Sequence, residues 1–489
     1  MLKKLSLISS ILLVSSLMSD ATMEEDLGGF DSEEVISDES GDLDGFGEDL
    51  DGFGDDNEHS EESLHVAEVQ KDESIFRLSG DIAFKTSAGY LKHSVKAHKT
   101  DAEAIEYSGV NQAQIALYLQ LDAKINDDWK LKISGDGFYD AIYDLHPNNN
   151  YNDDTLDAYR TQLRFDDTYI QGRLSSDLDV KIGRQIVVWG KSDSIRITDV
   201  INPTDNRLPG MTDIEDLRLP TTMAKLDYYL GDWNFSAMAI AESRIFIEAA
   251  PRGEFFPVDK VFIDGAPEPF IELVQPSTSW DDMQYAFALN GVFSGWDLSF
   301  YGADVLDSKW YIDPIRKKRV VSKIKMLGSA LNVAYGSWLL KSEIAFIDGV
   351  KYNSTANAKS RLDLLAGFDY MGFKDTVISL EVANKHIYDY ETQMSQVVLK
   401  PDYLYKDEMQ TAFRISKNYL NDSLTASALV TLFGQEFQYG GFARVWLEYE
   451  VADAVGLNVG VVDYLDGDKP FPKAIRDNDR IFADLTYSF

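Results

Sequence analysis

What most constrains this chain is the way its hydrophobic residues are spaced after residue 73. They alternate with polar residues at period two in blocks of about ten, and no apolar run reaches the roughly 20 residues that a membrane-crossing helix requires. Ile115, Leu117, Leu119, Leu121, Ala123 and Ile125 alternate with Gln114, Tyr118, Gln120, Asp122 and Lys124. Leu340, Ile344 and Phe346 alternate with Lys341 and Glu343, and Val445, Leu447, Tyr449 and Val451 with Arg444, Trp446, Glu448 and Glu450. Strands of this kind have one apolar and one polar side, as in a wall between lipid and water.

A soluble sandwich also alternates, and three further features select a barrel. Tight turns, such as those near Asn126-Asp127-Asp128, Gly231-Asp232, Ser294-Gly295 and Gly336-Ser337, take turns with longer polar connections along the whole body. Trp129, Trp233, Trp296 and Trp338 each follow such a turn directly, which places them together at one membrane interface. Ile481, Ala483, Leu485, Tyr487 and Phe489 share one face of the closing strand, and this aromatic terminus resembles the signal read by barrel-assembly machinery.

Eight tight turns and nine long loops join 18 strands, or 16 if two weak segments belong to loops. The reading is therefore all-β: a transmembrane antiparallel barrel over 74–489, its first strand near Phe76 to Lys92 and its last Arg480 to Phe489. Eighteen strands leave an aqueous lumen unless loops fill it.

The N-terminal residues follow different rules. Lys3 and Lys4, the apolar run Leu5 to Leu17 and Ser19-Asp20-Ala21 have the three regions of a signal peptide over 1–21. From 22 to 73 there are 21 acidic residues and one basic one, so more than half of the chain's net −36 lies on this tract. So few apolar residues cannot offset chain entropy, and an acidic, disordered periplasmic arm is expected. It repeats a short pattern with Leu27 and Phe30, Leu43 and Phe46, and Leu50 and Phe53, which suits docking to a basic groove on a periplasmic partner, the alternative being a solvating acidic linker that merely repeats.

Net charge of this sign argues against a general nucleic-acid binder. The absence of cysteine removes disulfides and thiolate chemistry, and the six histidines have no recognisable catalytic context, so neither an enzyme nor a cofactor is expected.

The inward face of the strands carries both signs in near balance. Lys124, Lys132, Arg164, Lys181, Lys341, Arg361, Arg414 and Arg444 stand against Asp122, Asp136, Asp166, Glu343, Asp363, Glu381 and Glu448. The fifth strand, read as Val180 to Gly190, breaks the pattern, because strict alternation turns Arg184 to lipid at a cost of roughly 2–4 kcal/mol. A bulge at Gly183 would turn it inward. The loop that follows, Lys191 to Leu219, carries Arg196, Arg207, Arg218 and prolines, and is expected to fold into the lumen as a constriction, with a surface loop as the alternative.

Gly183-Arg184-Gln185, Trp189-Gly190-Lys191-Ser192-Asp193, Asp199-Val200-Ile201-Asn202-Pro203 and Leu217-Arg218-Leu219-Pro220 resemble an outer-membrane porin-like family of unknown function, related in pattern to alginate-export barrels. The resemblance implies an 18-stranded conduit, although the balanced lumen departs from the basic one that alginate requires.

The function expected is a Gram-negative outer-membrane channel for passage or export of small or oligomeric polar solutes. The alternative is a non-conducting barrel serving as membrane anchor or assembly platform. Lining or constriction is expected of Lys181, Arg184, Arg164, Arg196, Arg207, Arg361, Arg414, Arg444 and Glu448, with Trp129, Trp233, Trp296, Trp338 and Phe489 against lipid and lipopolysaccharide.

Overall fold

The structure, a computed structural model, describes residues 75–95, 105–146, 151–250, 253–256, 273–276, 282–313, 315–316, 318–396 and 402–489. The signal peptide, the acidic arm and its six Leu and Phe anchors lie outside the described residues.

Eighteen antiparallel strands form one closed sheet in which every strand pairs with its neighbours in the chain. The strand Phe76–Gly89 closes the circle against Arg480–Ser488, with Phe84 opposite Leu485. Gly80 and Phe489 exchange both backbone hydrogen bonds at this seam, at 3.0 and 2.9 Å. Eighteen strands are thus the finding, and sixteen is excluded.

Local chemistry explains the hairpins. The Asn126 side chain accepts from the amides of Asp128 and Trp129, both at 2.9 Å, which reverses the chain between Gly109–Lys124 and Trp129–Asp140. Period-two chemistry then sorts the sides. In Trp338–Val350, Lys341, Glu343, Ala345 and Ile347 are buried, while Leu340, Ile344 and Phe346 are exposed. Since neighbouring strands alternate in phase, the exposed apolar residues form one continuous outer surface.

The four tryptophans each open a strand immediately after a tight turn, on its outward face. They pack with other rim aromatics: Phe293 lies 5.4 Å from Trp233 and 4.3 Å from Trp296, and Tyr370 lies 4.5 Å from Trp338. Tyr487 and Phe489 stack at 6.3 Å on the same outer surface.

The interior differs from a simple aqueous lumen. Trp189, Ile195, Ile197 and Ile201 pack inside the barrel against inward residues of the wall, including Met223, Tyr301, Met326 and Ile347. A second insertion is smaller. Phe255 is buried 5.5 Å from Tyr464, and Glu254 pairs with Arg480 and accepts from Asn111 at 3.1 Å.

Candidate pore constriction

The fifth strand ends at Gln185, not at Gly190. Beyond it the Val187 amide turns from the sheet and donates to the Asn202 side-chain oxygen at 2.8 Å. The Asn202 amide group donates to the carbonyls of Gln185 (3.3 Å) and Leu219 (2.9 Å), so one buried side chain joins the point where the chain leaves the wall to the point where it returns.

Between those points the segment crosses to the opposite wall. Glu343, buried on the inner face, accepts from the amides of Lys191 (2.7 Å), Ser192 (2.9 Å) and Thr198 (3.2 Å) and from the Thr198 hydroxyl (2.8 Å). Glu381, equally buried, accepts from the Ser192 hydroxyl (2.6 Å) and from the amides of Asp193 (2.9 Å) and Ser194 (3.1 Å). Lys191 reaches Asp297 at 2.6 Å, and Lys341 pairs with Asp193 and with Asp369, the latter at 2.7 Å. Charge-assisted bonds of this kind are roughly twice as strong as neutral ones.

Gly190 makes this docking possible. Its φ of +98° is a left-handed conformation, and a side chain there would meet a Glu343 carboxylate oxygen at 2.7 Å.

The segment then turns back. Asp199 is gripped by Arg196 (3.1 Å) and Arg218 (2.8 Å). Arg207 pairs with Asp205 and donates to Gln162 at 2.7 Å and to the Ala158 carbonyl. Arg164, on the inner wall, holds Asp136 (2.9 Å) and Asp166 (3.0 Å). Farther on, Asp213 is paired by Arg414 (3.1 Å) and Arg444 (2.8 Å) from the far wall, and Arg444 lies 3.8 Å over the Trp446 ring. Burial, reinforced by Asp216 and Asp213, raises the carboxyl pKa of the neighbouring Glu215. Glu448 faces inward and is exposed.

Arg196, Arg207, Arg414, Arg444 and Arg164 therefore meet at or against the inserted segment, while Lys181 lies lower on the wall, 4.1 Å from the Tyr169 ring. Arg361 pairs with Asp363 at 2.7 Å in a cavity that the inserted segment also lines through Arg196, Ile197 and Asp199.

Arg184 requires correction. No register shift interrupts the pairing of Gly183 with Tyr169 or Met223, so no bulge turns Arg184 inward. Gly183 takes φ +134° within an unbroken ladder, and Arg184 stays on the side of exposed Ile182. It is accommodated there by Glu242 at 2.6 Å and by the Phe165 carbonyl at 3.0 Å, left unpaired where the fifth strand ends. Arg184→Ala is accordingly expected to leave the reversal potential under a salt gradient unchanged while costing roughly 1.5–3 kcal/mol of stability in denaturant titration. A shift in selectivity would contradict this placement.

A closed 18-stranded wall with an apolar exterior, polar inward ladders and a chain segment tethered across its interior defines a porin-like β-barrel. The chain belongs to the family described as "Protein of unknown function (DUF1302)", whose model matches residues 93–489. No curated protein matches the sequence. OccAB3 of Acinetobacter baumannii is similar in fold at a TM-score of 0.50 and 11% identity, over 85% of this chain and 99% of that one. OccK9 (OpdG) of Pseudomonas aeruginosa gives 0.49 and 11%, over 85% and 98%.

Proposed function

We propose that the protein is a Gram-negative outer-membrane channel for small polar solutes, with the segment between Gln185 and Thr221 as its constriction. The observation that carries this reading is the pair of inner-wall carboxylates, Glu343 and Glu381, which hold that segment across the lumen by its backbone. Arg164, Arg196, Arg207, Arg414 and Arg444 then act by fixing the segment, and Glu448 and Lys181 line the lumen toward the tight-turn rim. The four rim tryptophans and Phe489 anchor the wall at the lipid interface. The apolar packing inside favours small solutes over an oligomeric cargo such as alginate.

The same packing also supports a second reading, a non-conducting barrel that anchors a complex. In either case residues 22–73 would serve as a periplasmic arm that docks through Leu27, Phe30, Leu43, Phe46, Leu50 and Phe53. Planar-bilayer recordings of the purified protein separate the two: discrete single-channel steps are expected, and a barrel that inserts but never conducts would sink the channel reading.

A further inference from the structure

A cavity of about 620 Å³ lies between Arg196–Thr204 of the inserted segment and the long-loop ends of the strands Lys359–Phe373, Thr376–Ile387 and Asp407–Tyr419. That volume falls within the roughly 300–1,000 Å³ of small-molecule sites. Its charges are unequally satisfied. Arg196 pairs with Asp199, Arg361 with Asp363, and Lys469 with Glu408. The other two carboxylates accept from backbone amides: Asp307 from Lys309 at 3.0 Å, and Asp402 from Asn353 at 2.7 Å and Ser354 at 2.9 Å.

Three cations remain. Lys309, Lys351 and Lys385 line the same cavity, and none of their ammonium groups makes a hydrogen bond or an ion pair with a described residue. Lys385 shows why. Its cross-strand partner is Asp363, and Arg361 already holds both Asp363 oxygens, at 2.7 and 2.8 Å. Asp363 still attracts Lys385 at longer range, as Asp307 does Lys309, but neither makes an ion pair, and Arg361, Arg196 and Lys309 act on Lys385 in the opposite sense. Grouped like charges in a recess raise the local concentration of anions. Tyr352, Tyr403 and Phe246 add aromatic surface to the lining, which favours an organic body over a bare inorganic ion.

We propose that this cavity binds a small organic carboxylate, its anionic end between Lys309, Lys351 and Lys385 and its body against the aromatic lining. The site takes its role, a stop for solute in transit, from the channel reading above.

Calorimetry on the full-length protein in detergent tests it, with benzoate as the probe, benzamide as its neutral counterpart and sulfate as a bare anion. Saturable benzoate binding is expected, with benzamide and sulfate each at least about tenfold weaker. Lys385→Gln and Lys309→Gln should each weaken benzoate by about tenfold, and Lys385→Arg should restore most of it. Heat-dependent gel migration confirms that each variant is a folded barrel. Benzamide or sulfate binding as tightly as benzoate, or both glutamine variants binding it like wild type, would overturn the proposal. Conductance without benzoate binding removes the site and keeps the channel. Binding without conductance does the reverse.

Discussion

Replacing Glu343 and Glu381 together by glutamine is expected to raise single-channel conductance several-fold and to make the open level noisy. The two carboxylates accept seven hydrogen bonds from the segment, five of them from backbone amides. Glutamine keeps the shape but puts an NH2 group where one carboxylate oxygen stood, so at each site part of this donor set loses its acceptor. Hydrogen bonds to a charged acceptor contribute roughly 1.5–3 kcal/mol each, and a buried amide left without a partner adds to the loss. The wall should stand, because its ladders do not involve these side chains. The segment should move away from the strands that carry them. Unchanged current in E343Q/E381Q, with the double variant folded, would show that solute does not pass where the segment lies.

Gly183→Ala should act on the wall itself. A β-carbon at Gly183 would be driven into the Thr168 carbonyl oxygen and would stand 2.7 Å from the Tyr169 Cα, both parts of the paired strand. At φ +134° an L side chain is strained as well, so neither strand can relieve the other by a rotamer change. The expected cost is about 3 kcal/mol or more, seen as a large loss of folded, heat-resistant barrel in membranes. Near-normal yield of folded G183A would mean that the two strands can separate here.

The sequence makes the wall legible because its rules are local. Alternation such as Leu340, Ile344 and Phe346 against Lys341 and Glu343, and turn chemistry such as that of Asn126, fix strand count, rim placement of the tryptophans and the outward face of Phe489 within a few neighbouring residues. The path of the inserted segment is not written that way. Lys191 meets Glu343 across 152 positions, and Ser192 meets Glu381 across 189. Both glutamates are readable as inward-facing, but nothing nearby marks them as tethers. Asn202 stands out in the sequence only as part of a short motif, yet it fastens both ends of the segment. Arg184 shows the opposite limit: alternation alone placed it correctly, and Glu242, which makes that position tolerable, lies 58 positions away. The short motifs that mark this stretch of sequence supply fastenings of the segment, with Gly190, Ser192, Asp199, Asn202 and Arg218 all taking part in the set.

The Asn202 fastening has a consequence for how such a barrel is put together. Because this side chain binds Gln185 and Leu219 at once, the whole excursion meets the wall as though it were a short hairpin, however much chain lies beyond. Loop closure grows costlier only slowly with length, by about 0.6 kcal/mol per doubling. The pairing of the fifth and sixth strands thus depends little on how much chain lies within the cylinder. Aperture and container become separable: a change in the chain between the two fastened points alters what fills the vessel and leaves its circumference as it is.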